Sequence, residues 1–338
     1  PMHNRAAIDN AIKMGLALNC NIREVNRYAR KNYFYADLPK GYQITQFDTP
    51  LCENGSVEIK LSDGRVKVVR LTRIHMEEDT GKSMHDQDLY DTLVDYNRAG
   101  IPLIEIVTKI IPGTGKYAPQ VARAYVTELR DILRSLGVSD VRMEQGSLRC
   151  DANVSLAPTG SGKLGTRSET KNVNSLRSIE RALTGEIIRQ AEVLDKGEKV
   201  KQETRHFLED TGLTRPGRSK EEAEDYRYFP EPDLIPIVAD EKWVSELRNR
   251  VPEKPSIHRK RLQEAWQVPD KEMAALINSE LLSVVEETVK IGADPTRART
   301  WWLGEISRLA NEKEVAPDSL IRSEEHTSEL QSLRHLVC

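Results

Sequence analysis

The apolar run Pro102–Val107 constrains the fold of this chain more than any other segment, because it contains a single carboxylate, Glu105. A short apolar run that follows Gly100-Ile101 is typical of a buried β-strand. An ionised carboxylate is not buried unless a cation or hydrogen-bond donors compensate its charge. The sequence therefore predicts a cation beside Glu105. The alternative is a solvated edge strand from which Glu105 points outward.

A second group of ionisable residues ends the preceding predicted strand and consists of His75, Glu77, Glu78 and Asp79. On a strand, His75, Glu77 and Asp79 lie on one face, and Glu78 lies on the other. Magnesium binds one or two carboxylates and keeps water and phosphate ligands, so Glu77 and Glu105 together suit it. His75 is either a further ligand or a group that orients the ligands. A solvated acidic hairpin end is the alternative.

A third feature is the segment Glu144–Leu156, whose alternating polar and apolar residues predict one strand with a wet face and a core face. The wet face carries Ser147, Arg149, Asp151 and Asn153. Arg149 suits phosphate because its guanidinium donates paired hydrogen bonds, and we assign Ser147 and Asn153 to the same ligand. Arg149 and Asp151 are also candidate catalytic residues. An ordinary half-exposed strand is the alternative.

Two further groups of charged residues are candidates for the same cavity. Arg167, Glu169 and Lys171 share a face of a predicted strand, where they either form a structural ladder or line a cavity. Lys31 and Lys40 lie on either side of an aromatic run near the start of the chain. A lysine in a cleft neutralises phosphate, whereas an exposed lysine only aids solubility, and the sequence leaves both open.

The organisation of the chain predicts an α+β fold. Turn signals at Asn54-Gly55 and Asp63-Gly64 predict antiparallel hairpins in the first part. Helical spacing of apolar residues predicts helices over 6–19, 118–136 and 175–196, with Asn174 as the cap of the last. After Pro236 the pattern is almost wholly helical, with prolines between the pieces. We predict domains at 1–240 and 241–322, and a disordered or non-native tail at 323–338.

Composition excludes several classes of function. A net charge of −3 gives no global basic field, so RNA would have to bind to local patches such as 258–261 and 297–299, unless these are solvated helix faces. The four cysteines form no CxxC pair, which predicts free thiols in a cytoplasmic protein. No apolar stretch approaches the roughly 18 residues that cross a membrane. The segment around Gly160-Ser161-Gly162-Lys163 lacks two residues of a nucleotide-binding P-loop.

Collinear motifs from about residue 4 to 320 give the chain a specific resemblance. Asp95-Tyr96-Asn97-Arg98 precedes Pro102-Leu103-Ile104-Glu105-Ile106, and the other motifs include 31–35, 75–79, 146–153 and 225–233. In the sequence and order of these motifs, the chain resembles the B subunit of the tRNA-dependent amidotransferase, the GatB family. It lacks the upstream Glu-Val-His strand and the tail domain of that family, so we expect a chain truncated at both ends.

The resemblance implies a fold and an activity. The fold is an antiparallel-sheet cradle domain similar to glutamine synthetase, followed by an all-helical domain that binds tRNA. The activity is a carbon–nitrogen ligase with glutamine as the nitrogen donor: ATP and Mg²⁺ activate the side-chain carboxylate of Glu-tRNA(Gln) or Asp-tRNA(Asn), and glutamine-derived ammonia amidates it. The partners implied are the amidase subunit (GatA) and a small linker subunit (GatC), in a cytoplasmic heterotrimer.

The resemblance also implies roles for individual residues. Glu77 and Glu105 match metal-ligand positions, and Glu78 matches a carboxylate at the mouth of an ammonia channel. Lys31 and Lys40 match lysines near the same passage. The alternative function is a tRNA-binding scaffold subunit without catalysis.

Overall fold

The computed structural model describes residues 2–84, 92–217 and 226–313, together with residues 315, 317 and 320. The predicted tail 323–338 lies outside the described residues. The chain divides into two compact units between Lys254 and Pro255. Within the described ranges, no helix combines the length and apolar character needed to cross a bilayer.

The helices agree closely with the predicted ones. Those of the first unit are α1 (Arg5–Ala17), α2 (Ala118–Ser135), α3 (Leu176–Asp195) and α4 (Glu241–Arg248). Those of the second unit are α5 (Pro255–Ala265), α6 (Asp270–Asn278), α7 (Leu282–Lys290), α8 (Pro295–Trp301) and α9 (Ser307–Glu312). A π-helical turn over Trp302–Ile306 joins α8 to α9.

All strands of the described residues lie in the first unit. The early ones are β1 (Asn21–Ile22), β2 (Val25–Asn26), β3 (Ala29–Asn32), β4 (Tyr42–Thr45), β5 (Cys52–Glu53), β6 (Ser56–Lys60) and β7 (Val66–Glu78). The middle ones are β8 (Lys82–Met84), β9 (Leu93–Asp95) and β10 (Pro102–Thr108). The later ones are β11 (Cys150–Val154), β12 (Ser168–Val173), β13 (Thr204–Phe207), β14 (Thr214–Pro216), β15 (Phe229–Pro230) and β16 (Ile237–Val238).

Short sheets surround one long strand, β7. Among the described residues, β7 pairs with β5, β6 and β10, and β1 extends this sheet beyond β5. A second sheet has the order β11-β12-β13-β14, and a third has the order β15-β3-β4. Pairing is antiparallel throughout except between β12 and β13. Helices with mainly antiparallel sheets confirm the α+β prediction at this level, whereas the cradle stays a prediction.

The two predicted hairpin turns differ in outcome. Asp63-Gly64 joins β6 to β7, with Gly64 at φ +87° and the Asp63 carboxylate accepting from the Arg65 N–H at 3.1 Å, so this prediction is confirmed. The hairpin at Asn54-Gly55 is wrong, because β5 and β6 both pair with β7 in one continuous register. Asn54 has φ 57° and makes a kink there instead of a reversal.

Two predicted strands need correction. The strand β10 lies where the apolar run predicts it, but it is the terminal strand of its sheet in the described chain and has no buried residue, so the prediction of a buried strand is wrong. The single strand over Glu144–Leu156 is also wrong, because only Cys150–Val154 is extended. Gly146, at φ +73°, instead forms a turn whose N–H donates to the Met143 carbonyl.

The core of the first unit lies between α1, α2 and α3 and the sheet of β7. The side chains buried almost completely include Ile12, Leu51, Leu71, Ile74 and Ile179. Ser175, and not the predicted Asn174, caps α3, because its hydroxyl accepts from the Ser178 N–H at 3.0 Å. Cys20, Cys52 and Cys150 are free thiols.

The described part of the second unit is helical and has its own small core around Leu276, Leu281 and Trp302. Helix α4 belongs to the first unit, where the Trp243 indole N–H donates to Asp9 Oδ1 at 2.8 Å. The second compact unit therefore begins later than residue 241, where the sequence pattern changes. A division into a catalytic and a tRNA-binding domain stays a prediction.

A candidate metal and phosphate site beside the long strand

Pairing of β7 with β10 brings His75, Glu77 and Glu105 together; we call these three residues the carboxylate cluster. Glu105 lies directly opposite His75 in the register, and Glu77 is two residues further along β7, so all three share one face. The ligand atoms of the three lie within 4.8 Å of one another. His75 Nε2 is 3.1 Å from Glu77 Oε1 and 3.3 Å from Glu105 Oε2.

The hydrogen bonds of His75 bear on its two predicted roles. Arg73 Nε donates to His75 Nδ1 at 3.3 Å, so Nδ1 is an acceptor and the neutral ring carries its proton on Nε2. That N–H points towards Glu77 and Glu105. This arrangement favours an orienting role for His75. Two carboxylates held side by side fit a hard cation such as magnesium, which prefers oxygen ligands.

Strand β4 supplies two residues that the sequence reasoning missed. Thr45 Oγ1 donates to Glu77 Oε1 at 2.7 Å, and Gln43 Nε2 donates to Glu77 Oε2 at 3.1 Å. Gln43 and Thr45 are buried polar residues at alternate positions of β4. The signal was present, because polar residues on the inward face of a strand need a partner. The carboxylate of Glu77 is therefore fixed by three donors.

Glu105 differs from Glu77 in its exposure. Its side chain is 53% exposed, whereas the side chain of Glu77 is 10% exposed. The hydrogen bond from His75 holds the pKa of Glu105 below its ordinary value against partial burial, and Arg73 and Lys31 add to the effect. The alternative of a solvated edge strand, from which Glu105 points outward, thus describes the exposure of Glu105 correctly. Glu105 nevertheless has a fixed partner and an ionised carboxylate on the open side of the cluster.

The next carboxylate along β7, Glu78, engages one of the predicted lysines. Its Oε1 accepts from Lys40 Nζ, and from the Ile44 N–H at 2.8 Å. The second lysine, Lys31, lies over aromatic rings, with Nζ 4.8 Å from the centre of Tyr226 and 5.5 Å from that of Tyr33. Both predicted lysines therefore lie near the end of β7 that carries the cluster.

Asp79, which follows β7 directly, connects Arg149 to this end of the strand. Arg149 Nη2 lies 3.0 Å from Asp79 Oδ1, and Arg98 Nη2 lies 3.1 Å from Oδ2. The Asp79 side chain is 9% exposed, whereas that of Arg149 is 52% exposed. The guanidinium of Arg149 is thus anchored at one nitrogen and open to solvent elsewhere.

Asp151 pairs with a residue that the sequence analysis left open between two roles. Lys171 Nζ lies 2.9 Å from Asp151 Oδ2, so an ion pair joins β12 to β11. Burial tends to lower the pKa of Lys171, but Asp151, Glu169 and Glu105 together raise it above its ordinary value. Because Glu105 contributes to that shift, Lys171 lies within electrostatic range of the cluster. A charged lysine here is suited to an anionic ligand.

The other two predicted ligand-binding residues are placed differently. The Ser147 hydroxyl is hydrogen-bonded to Asp140 and lowers the pKa of that carboxyl. Asn153 lies on the exposed face of β11, opposite Glu169 in the register. The structure therefore does not bring Ser147 to the cluster, because the turn at Gly146 breaks the alternation on which the prediction relied.

In the second unit, the predicted RNA-binding patches are only partly available. Arg299 is buried, and its Nε lies 3.1 Å from Glu272 Oε2. Including it in an RNA-binding patch was wrong. On α5, His258 Nε2 lies 2.9 Å from Glu286 Oε2, whereas Lys260 is exposed to 78% at its side chain.

Comparison with known proteins gives one consistent result. A family model described as the GatB/GatE catalytic domain matches residues 1–245. The B subunit of the aspartyl/glutamyl-tRNA(Asn/Gln) amidotransferase of Salinispora tropica is 57% identical over 340 residues, covering 98% of this chain and 68% of that protein. The proteins of the same name from Thermobifida fusca and Streptomyces coelicolor are 57% and 54% identical, with 63% and 65% of their lengths covered. The chain thus spans 63% to 68% of the length of these relatives.

Proposed function

Because this chain belongs to the family of B subunits of the aspartyl/glutamyl-tRNA(Asn/Gln) amidotransferase, we propose that it activates the carboxylate of an aminoacyl-tRNA for amidation. The substrates proposed are Glu-tRNA(Gln) and Asp-tRNA(Asn), and the nitrogen is ammonia derived from glutamine. The cofactors proposed are ATP and Mg²⁺. On this proposal the chain works in the cytoplasm with an amidase subunit and a small linker subunit.

The observation that carries the proposal is that the carboxylates of Glu77 and Glu105 lie side by side at His75, with Lys31 and Lys171 within electrostatic range of Glu105 and Arg149 anchored on Asp79 at the same end of β7. The carboxylates suit a divalent ion, and the cations Lys31, Lys171 and Arg149 suit the phosphates that such an ion accompanies. A bound divalent ion supplies charge neutralisation to phosphate oxygens during phosphoryl transfer. Acidic and basic groups in one place fit that task better than a surface that only holds RNA.

The roles of the residues follow from their fixed contacts. Glu77 is held by Thr45, Gln43 and His75, so its position needs no reorganisation when a cation arrives. Glu105, the more exposed carboxylate, would be the second residue to hold the cation. Arg149, anchored by Asp79, donates its remaining N–H groups to phosphate oxygens.

Amidation itself needs a leaving group and a place for protons. A carboxylate is a poor acyl donor until one of its oxygens can depart as phosphate, which is what phosphoryl transfer achieves. Ammonia then attacks the acyl carbon, phosphate departs, and the nitrogen must lose a proton. Glu78 is proposed to accept that proton, because carboxylate side chains serve as general bases. Lys40, its ion-pair partner, holds it in place.

The test removes one charge from the cluster. The chain is combined with the two partner subunits, mischarged tRNA, Mg²⁺ and ATP, and formation of ADP is followed. We expect Glu105→Gln to lower the rate by about 100-fold, because the metal supplies several kcal/mol in such reactions. Affinity for tRNA should stay within a few fold. Glu58→Gln is the matched control, since Glu58 is an exposed carboxylate on the neighbouring strand β6.

A second readout does not depend on turnover. At a manganese concentration of about 100 times Kd, binding stabilises the folded protein by about 2.7 kcal/mol. The resulting rise in melting temperature should be lost in Glu105→Gln and kept in Glu58→Gln. Normal turnover by Glu105→Gln would remove the metal role. An unmutated complex that binds tRNA and never forms ADP would show the alternative function, a scaffold without catalysis.

A further inference from the structure

Four aromatic rings form a continuous surface beside the carboxylate cluster; we call Phe47, Tyr228, Tyr226 and Tyr33 the aromatic wall. Phe47 and Tyr228 are stacked, with ring centres 4.1 Å apart and planes 6° from parallel. Tyr226 packs edge-on against Tyr228 and Tyr33, with centres 6.0 Å apart in both pairs. Phe47 stands at the end of this row and is 44% exposed.

The backbone on both sides of Phe47 is fixed, so its exposure is not the result of a loose loop. The preceding residue, Gln46, is 1% exposed. Its side-chain Nε2 donates a hydrogen bond to Asn26, and its Oε1 accepts hydrogen bonds from the N–H groups of Leu51 and Met76. The following residue, Asp48, lies 2.7 Å from Arg27. A large apolar ring held outwards on a fixed backbone costs solvation energy, which a flat ligand would recover.

The wall is close to the site proposed for phosphate and metal. Thr45, which donates to Glu77, precedes Phe47 by two residues, so their Cα atoms lie no more than about 7 Å apart. At the other end, the Tyr33 hydroxyl donates to Gln43 Oε1 at 3.2 Å, and Gln43 donates to Glu77. Burial raises the pKa of Tyr228 to about 12, and Glu77 and Glu105 add to that rise, consistent with this proximity.

We propose that the exposed face of Phe47 stacks on the adenine base of the nucleotide whose phosphates bind at the carboxylate cluster. This inference rests on the proposed function and adds the element that distinguishes a nucleotide from a bare polyphosphate. A base stacks on any aromatic face, and Phe47 offers one face because Tyr228 covers the other. In a nucleotide the ribose separates the base from the phosphates. This separation agrees with the position of the Phe47 ring, which lies near the carboxylate cluster without contacting it.

The charges around the wall also fit a nucleotide. Lys31 lies over Tyr226 and Tyr33, so a cation faces the half of the row that is farther from Phe47, and it acts electrostatically on Glu105 of the cluster. An apolar protein segment would gain nothing from that lysine or from the carboxylates beyond it. A nucleotide pairs an apolar flat end with an anionic end in the same order as the wall and the cluster.

The experiment compares two probes that share phosphates and differ in the base. Binding of Mg·ATP and of Mg·tripolyphosphate to the full chain is measured by titration calorimetry. We expect Phe47→Ala to weaken binding of Mg·ATP by about tenfold, within the range found for loss of one stacked base. Binding of Mg·tripolyphosphate should not change. Phe47→Trp should keep the affinity for Mg·ATP, because indole also stacks.

Phe34→Ala is the control for loss of an exposed ring, since Phe34 is 79% exposed and lies outside the wall. Unchanged binding of Mg·ATP by a folded Phe47→Ala protein would overturn the inference and leave the proposed function intact. Equal affinity of the unmutated chain for both probes would also overturn it, because no group would then recognise the base. If neither Mg·ATP nor Mg·tripolyphosphate binds, the proposed function is refuted, and the inference with it.

Discussion

Removal of the Glu186 carboxylate should destabilise the first unit more than removal of any exposed charge on the same helix. The Glu186 side chain is fully buried on α3 and serves three strands. It accepts from Ser168 Oγ on β12 at 2.6 Å and from Thr214 Oγ1 on β14 at 3.2 Å, and it lies 3.4 Å from Arg205 Nε on β13. Arg189, on the next turn of α3, donates to both of its oxygens.

The magnitude follows from what the substitution Glu186→Ala leaves behind. Breaking a buried ion pair costs about 3–5 kcal/mol when one charge stays without a partner. Arg205 keeps Glu203 and Thr214 as partners, and the Arg189 side chain is 27% exposed, so water reaches part of it. We therefore expect about 3 kcal/mol, the lower end of that range. Glu192→Ala, at an exposed position of α3, should change stability by no more than about 0.5 kcal/mol.

The effect should depend on pH with a defined sign. Burial tends to raise the pKa of Glu186, but hydrogen bonds from Arg189, Ser168 and Gln190 outweigh burial and hold the pKa below its ordinary value. The stabilisation is therefore complete above the pKa of an unfolded glutamate, about 4.3, and is lost as the pH falls through the lower pKa of the folded state. The advantage of the unmutated chain over Glu186→Gln should narrow in acid.

Two measurements together check this prediction. Urea unfolding followed by circular dichroism gives the free energy, and amide hydrogen exchange in α3 and β12 shows whether the loss is local to the first unit. The reasoning would be refuted if Glu186→Ala stayed within about 1 kcal/mol of the unmutated chain at neutral pH, since that is the size of an ordinary substitution. A difference that did not change between pH 7 and pH 3 would refute the electrostatic part alone.

Two other predictions concern packing and RNA binding. Gly15→Ala would place a Cβ 2.5 Å from Cys52 Sγ, so we expect a loss of about 1–3 kcal/mol in thermal unfolding, with recovery in the double variant with Cys52→Ala. No loss in Gly15→Ala would contradict the close contact. Neutralising Arg259 and Arg261 should weaken tRNA binding and flatten its dependence on salt, whereas Arg299→Ala should lower stability and leave the salt dependence unchanged. A salt dependence that responds to Arg299 alone would show that this residue contacts RNA.

Local patterns were sufficient wherever a single element controlled the outcome. Apolar spacing located α1, α2 and α3 to within one or two residues, and Asp63-Gly64 located the hairpin between β6 and β7. The run from Pro102 located β10 for the same reason, since strand length and termini are local properties. At the site, the ionisable residues that end β7 and the single carboxylate in the apolar run of β10 were enough to select Glu77 and Glu105, which the strand register brings side by side.

Patterns failed where a backbone conformation or a distant partner decided. The residues from 144 to 149 alternate in polarity as a strand does. Gly146, however, has a positive φ, and its carbonyl accepts a hydrogen bond from Arg98. The alternation therefore does not correspond to a strand there. Asn54-Gly55 carries a hairpin signal, yet β5 and β6 continue along the same partner strand. In both cases the local preference competes with pairing that the sequence order does not reveal.

By itself, the sequence determined the elements, the residue types of the site and the family, because these depend on spacing and on side-chain chemistry. Only the tertiary structure decided which side chains meet. It placed Gln43 and Thr45 against Glu77, and it gave Glu105 an open side. It also set Phe47 at the end of an aromatic row. These contacts join residues far apart along the chain, and their free energy depends on burial and distance, which no local pattern encodes.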